Sequence, residues 1–162
     1  HGYEDNFDKD GGALVYAAGQ MMNQLASNQT LLDDYDWTVY VLPSMNPDGL
    51  ISGYSHNGPG RLTTSYITSS GNLSYAKGID MNRSFPTNWT PYTSARNYNG
   101  PAPLASRESA ALAKFVQNVK GNGVNMCFDV HGWFSQIITS NGYDNTLYKT
   151  LKAAFPERKS VG

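Results

Sequence analysis

The chain has 162 residues, a net charge of −1 and only 15% charged residues, with 40% hydrophobic and 12% aromatic content. These figures fit one folded domain and exclude wholesale disorder, an apolar run of roughly 20 residues that would span a membrane, and the basic excess of a nucleic-acid face. One cysteine, Cys127, excludes an internal disulfide and a cysteine-based zinc cluster.

The elements follow in chain order. From Gly11 to about Ala26, Leu14, Ala17, Ala18, Met21, Met22 and Leu25 recur at helical spacing, with Asp8 and Asp10 ahead of them. Trp37–Leu42 is aromatic and β-branched and predicts a buried strand, stopped by Pro43 and by Asn46-Pro47-Asp48-Gly49. That tetrapeptide is expected to turn, Pro47 setting φ and Gly49 supplying a positive φ. Residues 50–104 carry much of the Gly, Pro, Ser, Thr and Tyr and read as a long irregular excursion, a feature usually tied to function. Ser106 can cap a second helix, with Glu108 near its positive end and Leu112, Phe115, Val116 and Val119 as a buried stripe, ended by Gly121-Asn-Gly123.

Val124–Val130 alternates apolar Val124, Met126, Phe128 and Val130 with polar or small residues, a strand delivering Asp129 and His131 to its C-terminal end. A strand near Ile137-Ile138 and a helix from about Asn145 to Phe155 complete the series. Helices alternating with buried strands predict an α/β fold, and such sheets carry their sites at strand ends. The low charge with abundant Asn, Ser, Thr, Tyr and Gly points to a secreted surface, although no signal peptide is recognisable. Four Asn-x-Ser/Thr matches, at Asn28, Asn72, Asn82 and Asn88, are expected by chance in such a composition.

Three histidines are available for chemistry: His1, His56 and His131. His1 and Glu4 are three residues apart, so both side chains can aim at one point, and His131 sits just beyond a predicted strand. Two His nitrogens and one Glu oxygen form the ligand set of an open catalytic zinc site. On its own His-x-x-Glu is equally a solvated surface pair, a strand-end histidine a structural one, and Arg61 a solvated side chain. Asn82-Arg83 alone reads as turn chemistry, Asp80 as a loop cap, and His56 as a solvated loop histidine. Trp89, Trp133 and Phe134 read as core or cleft wall.

The order of the motifs narrows the choice: His1-x-x-Glu4, Asn46-Pro-Asp-Gly49, Arg61, Gly78-Ile-Asp80-Met-Asn82-Arg83 and Asp129-Val-His131. This series resembles the zinc metallocarboxypeptidase family, peptidase family M14, which includes pancreatic carboxypeptidase A, across nearly the whole chain. Carboxypeptidase A itself supplies the His₂Glu zinc set, so ligand chemistry and family resemblance are one argument here. The resemblance implies a mixed, mostly parallel sheet flanked by helices, and one catalytic-domain segment over 1–162. It implies Zn²⁺ held by His1, Glu4 and His131, with Asp80 fixing the orientation of His1. Arg61 would polarise the scissile carbonyl, and Asn82 and Arg83 would grip the free C-terminal carboxylate of a peptide or protein substrate. A guanidinium fork suits a planar carboxylate better than a lysine does. No nucleic-acid or membrane partner is implied.

Two departures stand out. The family commonly has His-Ser-Tyr-Ser-Gln after the second strand, whereas this chain has His131-Gly-Trp-Phe-Ser135-Gln136, which favours a divergent branch. The family's strands ahead of the first ligand, its general-base glutamate and its closing tyrosine match nothing here. Neither Glu108 nor Glu157 takes the base's place, so these 162 residues alone are expected to be inactive or unstable. Three other readings stay open: a cell-wall muropeptide peptidase of the same family, a copper histidine brace built on the His1 amine, and a non-catalytic module that binds peptide termini.

Overall fold

The computed structural model describes residues 1–4, 10–122, 126–132, 136–138, 145–157 and, for the backbone, 159–161. They form two compact units, His1–Gly132 and Trp133–Gly162. In the first, α1 spans Asp10–Ala26, α2 Gln29–Asp34 and α3 Pro47–Ser52. Strands β1 (Ser55–Leu62), β2 (Tyr66–Ile67) and β3 (Leu73–Ser74) follow, then 3₁₀ turns at Met81–Arg83 and Ala95–Asn97, and helix α4 (Arg107–Val119). The second unit contains β4 (Gln136–Ile138), α5 (Thr146–Ala154) and β5 (Lys159–Val161).

Helix ends form where the sequence supplies caps. Ser106 accepts from Ser109 N at 2.9 Å to start α4, and Asn145 accepts from Tyr148 N at 2.7 Å to start α5. Caps of this kind each contribute about 1 kcal/mol. The Asn46-Pro-Asp-Gly49 segment is a helix start rather than an isolated turn. Asn46 Oδ1 accepts from Gly49 N at 3.1 Å, and Pro47 occupies the first turn of α3, where its missing N–H costs nothing. Gly49 has no positive φ; that conformation falls at Gly53 (φ 80°), which ends α3. Glycine is required at 49 for space, because a Cβ there would run into the Asn46 side chain.

Two predicted strands are not realised. Among the described residues, 37–42 have no ladder, and Trp37, Val39, Tyr40 and Leu42 are all exposed. Residues 126–130 are likewise unpaired, with Met126, Phe128 and Val130 exposed; Val124 lies outside the described residues. Strand formation needs neighbouring backbone as well as local propensity, and neither segment finds a partner ladder among the described residues. The α4 stripe is correspondingly half-covered. Phe115 and Val116 are exposed, Phe115 meeting Tyr40 edge-on at 5.3 Å between ring centroids.

The described strands form two short ladders, β2–β3 antiparallel and β4–β5 parallel, so a broad, mostly parallel sheet is not assembled from them. The α/β class holds. In the second unit α5 joins two parallel strands, the connection parallel pairing requires. Among the described residues, no helix is long and apolar enough to cross a membrane.

The centre of the first unit is small and unusually polar. Among the described residues, its buried apolar side chains are Leu62, Ile79, Met81 and Ala105, each large one contributing about 1.5–3 kcal/mol. Around them Asn46, Thr63, Asp80, Ser84, Asn99, Ser106 and Ser109 have no exposed surface. These polar groups stitch the excursion of residues 50–104 into one position. Thr63 N donates to Ile79 O and Ile79 N to Thr63 Oγ1, both at 3.0 Å. A Cβ on Gly78 would overlap Thr63 O, so only glycine permits this approach.

Candidate metal centre

Each side of the site rests on backbone anchoring. Gly2 N and Tyr3 N both donate to Gly60 O at 3.0 Å, seating the first residues against β1. Asn46 Nδ2 donates to Leu62 O at 2.8 Å, fixing the end of β1 that carries Arg61. Asp10, buried at the start of α1, accepts from Glu4 N at 3.0 Å. A Cβ on Gly132 would lie 2.9 Å from Asp10 Cβ, so the same residue backs the chain next to His131. Asp80 N donates to Tyr98 O at 2.6 Å.

On that frame, Glu4 Oε1 lies 2.7 Å from His1 Nδ1 and 2.6 Å from His131 Nδ1. His1 Nε2 lies 2.6 Å from Asp80 Oδ1, and His131 Nε2 lies 2.9 Å from Asp129 Oδ2. Arg61 bridges the acids, Nη1 donating to Glu4 Oε2 at 2.9 Å and Nη2 to Asp80 Oδ2 at 2.8 Å. One ligand atom from each of His1, Glu4 and His131 lies within 4.8 Å of the other two.

Burial opposes the charging of His1, but its hydrogen bonds to Asp80 and Glu4 outweigh that and hold its pKa above the usual imidazole value. Burial also works against the Glu4 carboxylate, yet hydrogen bonds from His1 and His131 keep it well below the usual range. His131 is pushed up to about 10, first by its bond to Asp129 and then by its bond to Glu4, against partial burial. Asp129 is lowered, chiefly by the hydrogen bond from His131. Because His1 Nδ1 then carries a proton directed at Glu4, the 3.2 Å approach of Arg61 Nη1 to that nitrogen is a packing contact.

The donor set suits a divalent cation. Both imidazoles turn Nδ1 toward the same carboxylate oxygen, while each distal nitrogen is occupied by another acid. Loss of the two Nδ1 protons leaves two nitrogens and a carboxylate facing one another, the ligand types of an open zinc site.

Asn82 and Arg83 form the 3₁₀ turn directly after Asp80, in place of the expected irregular loop. Asn82 is exposed and Arg83 half-buried. The Arg83 guanidinium donates to Asn82 O at 3.2 Å and stays outside the knot around Glu4. Asp80 ties the two regions together, because Oδ1 accepts from Asn82 N at 3.0 Å as well as facing His1. His56 is exposed as expected, but it lies on β1 and meets Arg96 Nη1 at 3.0 Å. Trp89 is half-buried, whereas Trp133 and Phe134 lie outside the described residues.

Several supporting residues escaped the sequence reading. Asn99, without exposed surface, donates to Arg83 O at 2.8 Å and Thr90 O at 2.9 Å, anchoring the turn that presents Arg83. Arg96 donates to Glu4 O at 3.2 Å, and Asn97 Oδ1 lies 3.4 Å from Arg61 Nη2. These act through tertiary contacts that no local pattern announces. Asp129 is different: two residues from His131 in extended chain, it falls on the same side, a signal readable from spacing alone.

The zinc carboxypeptidase family, Peptidase_M14, matches residues 12–160. That segment contains Arg61, Asp80, Asn82, Arg83 and His131 and begins after His1 and Glu4. The chain is 34% identical over 135 residues to Bacteriocin BCN5 of Clostridium perfringens, covering 82% of this chain and 14% of that one. It is 30% identical over 148 residues to carboxypeptidase B of Rattus norvegicus, covering 86% and 34% respectively. An inactive metallocarboxypeptidase, ECM14 of Saccharomyces cerevisiae, is 26% identical over 137 residues, covering 80% and 30%. The chain therefore spans at most about a third of the length of these relatives. No solved structure matches it.

Proposed function

The chain belongs to the zinc carboxypeptidase family, and from that premise we propose that it serves a peptidase that removes the last residue of a peptide with a free C-terminal carboxylate. The observation that carries this reading is the convergence of His1 Nδ1 and His131 Nδ1 on Glu4 Oε1, at 2.7 and 2.6 Å, with the distal nitrogens held by acids.

In this reading His1, Glu4 and His131 hold zinc and Asp80 orients His1. When bound, the zinc polarises the scissile carbonyl and lowers the pKa of water from about 15.7 toward about 7. Arg61 donates charged hydrogen bonds to the oxygen that gains negative charge, a type of contact whose removal typically costs about 2.7–4 kcal/mol of transition-state stabilisation. In that role it exchanges one of its carboxylate partners, Glu4 or Asp80, for the substrate oxygen. Arg83 grips the terminal carboxylate through its fork, and Asn82 adds a neutral donor. Asn99 keeps the backbone of that pair in place.

The test is a matched pair of peptides, one with a free C-terminus and one amidated. The free acid should be bound and cut, and R83A should weaken its binding, whereas R61A should mainly lower kcat. Equal rates on the two peptides would refute the exopeptidase reading. The match to a relative named as inactive favours a second reading, a module that holds peptide termini without turnover. Saturable binding of the free acid with no cleavage in the zinc-loaded protein would select it.

A further inference from the structure

The two histidines of the candidate centre are held by different means. His1 is almost fully enclosed, its side chain 2% exposed, and its neighbours Gly2 and Tyr3 are bonded to Gly60. His131 follows an extended stretch, 126–130, that has no strand partner among the described residues, and its side chain is about a third exposed. Neither burial nor a ladder fixes that ring. Among the described residues it has two polar contacts, Glu4 Oε1 on Nδ1 and Asp129 Oδ2 on Nε2.

Extended backbone places residues i and i+2 on the same side. Asp129 therefore reaches the far edge of the His131 ring without any long-range contact, and its own side chain is 61% exposed, so it serves no packing role. The partner of His1, Asp80, comes instead from a distant, fully buried position.

We propose that Asp129 is the positioning residue for His131, accepting the Nε2–H so that the ring presents Nδ1 to the position shared with Glu4 and His1. The inference rests on the metal-centre reading above. A hydrogen-bond acceptor on the distal nitrogen fixes tautomer and ring orientation, and its loss typically lowers metal affinity about 10–100-fold.

The experiment uses the whole chain, with zinc affinity measured by chelator competition across pH and corrected for the protons the histidines lose on binding, and the His131 ring followed by ¹⁵N-resolved NMR. D129A should weaken zinc binding about 10–100-fold and D129N by no more than about threefold, because an amide oxygen still accepts the Nε2–H. The ring signature of an Nε2–H tautomer should persist in the zinc-loaded wild type and D129N and be lost or mixed in D129A. Asp129 is exposed, so neither substitution removes core packing. Zinc affinity in D129A within about twofold of wild type would overturn the proposal, as would equal weakening in D129A and D129N. A wild-type chain that takes up no zinc would overturn the metal-centre reading itself, and this inference with it.

Discussion

Zinc uptake should release protons and tighten steeply with pH through neutrality. His131 titrates at about 10 in the metal-free protein, and a coordinating imidazole must be neutral. At pH 7 the ring is then almost entirely charged, and only a small fraction of molecules is ready to bind. Apparent affinity should therefore rise about tenfold per pH unit from His131 alone. His1, also raised, adds in the same direction while it remains charged. The slope of log affinity against pH should lie between about one and two from pH 6 to 7.5, a gain of at least about 30-fold.

Chelator competition across that range measures the slope. Calorimetry at pH 7 in buffers of different ionisation enthalpy counts the protons released, expected between about one and two per zinc. An unperturbed imidazole, with its midpoint at about 6.5, would give a curve that flattens above pH 7. A flat profile between pH 7 and 7.5 with no proton release would refute the claim that its acid partners hold His131 charged.

The same network predicts the stability of the metal-free chain. Glu4 is lowered on folding, so its contribution is present above about pH 4.5 and is lost as pH falls through its folded value. His1 and His131 are raised, so theirs is complete below about pH 6.5 and fades as pH rises toward their folded values. Thermal melts without zinc should peak between those limits; a maximum at pH 8 would contradict this. R61A removes the donor to Glu4 Oε2 and Asp80 Oδ2 and leaves His1 alone bridging the two acids, and urea unfolding of the metal-free protein should show a loss of about 1.5–3 kcal/mol. N46A strands buried Leu62 O and Gly49 N, and should cost about 1–3 kcal/mol by the same assay. G78A places a Cβ against Thr63 O and should expose the 63–80 segment to limited proteolysis, whereas G12A, with open space around it, should not.

The local signals in the sequence translated faithfully. Ser106 and Asn145 start their helices as capping chemistry requires, and α1 follows the spacing of its apolar residues. The ordered motifs also pointed to the cluster, because His1, Glu4, Asp80, Arg61 and His131 meet within one hydrogen-bonded knot. What local pattern could not supply was pairing. Trp37–Leu42 and Met126–Val130 have the composition of strands, but a ladder is a property of two segments, and their neighbours were never legible in either run. Asn99 and Arg96 were invisible for a related reason, since each acts on backbone far along the chain from a sequence context that looks like ordinary loop, and the motif that begins at Asn46 announced its turn but not its bond to Leu62 O.

One oxygen, Asp80 Oδ1, receives both the ring of His1 and the backbone N–H of Asn82. A shift of that atom moves the histidine and the Asn82-Arg83 turn together. Under the proposed function, a cation that changed the affinity for a peptide's end through that shared acceptor would have its own affinity changed by the same factor when the peptide bound. A substitution at position 80 would then disturb the His1 ring and the Asn82-Arg83 turn together.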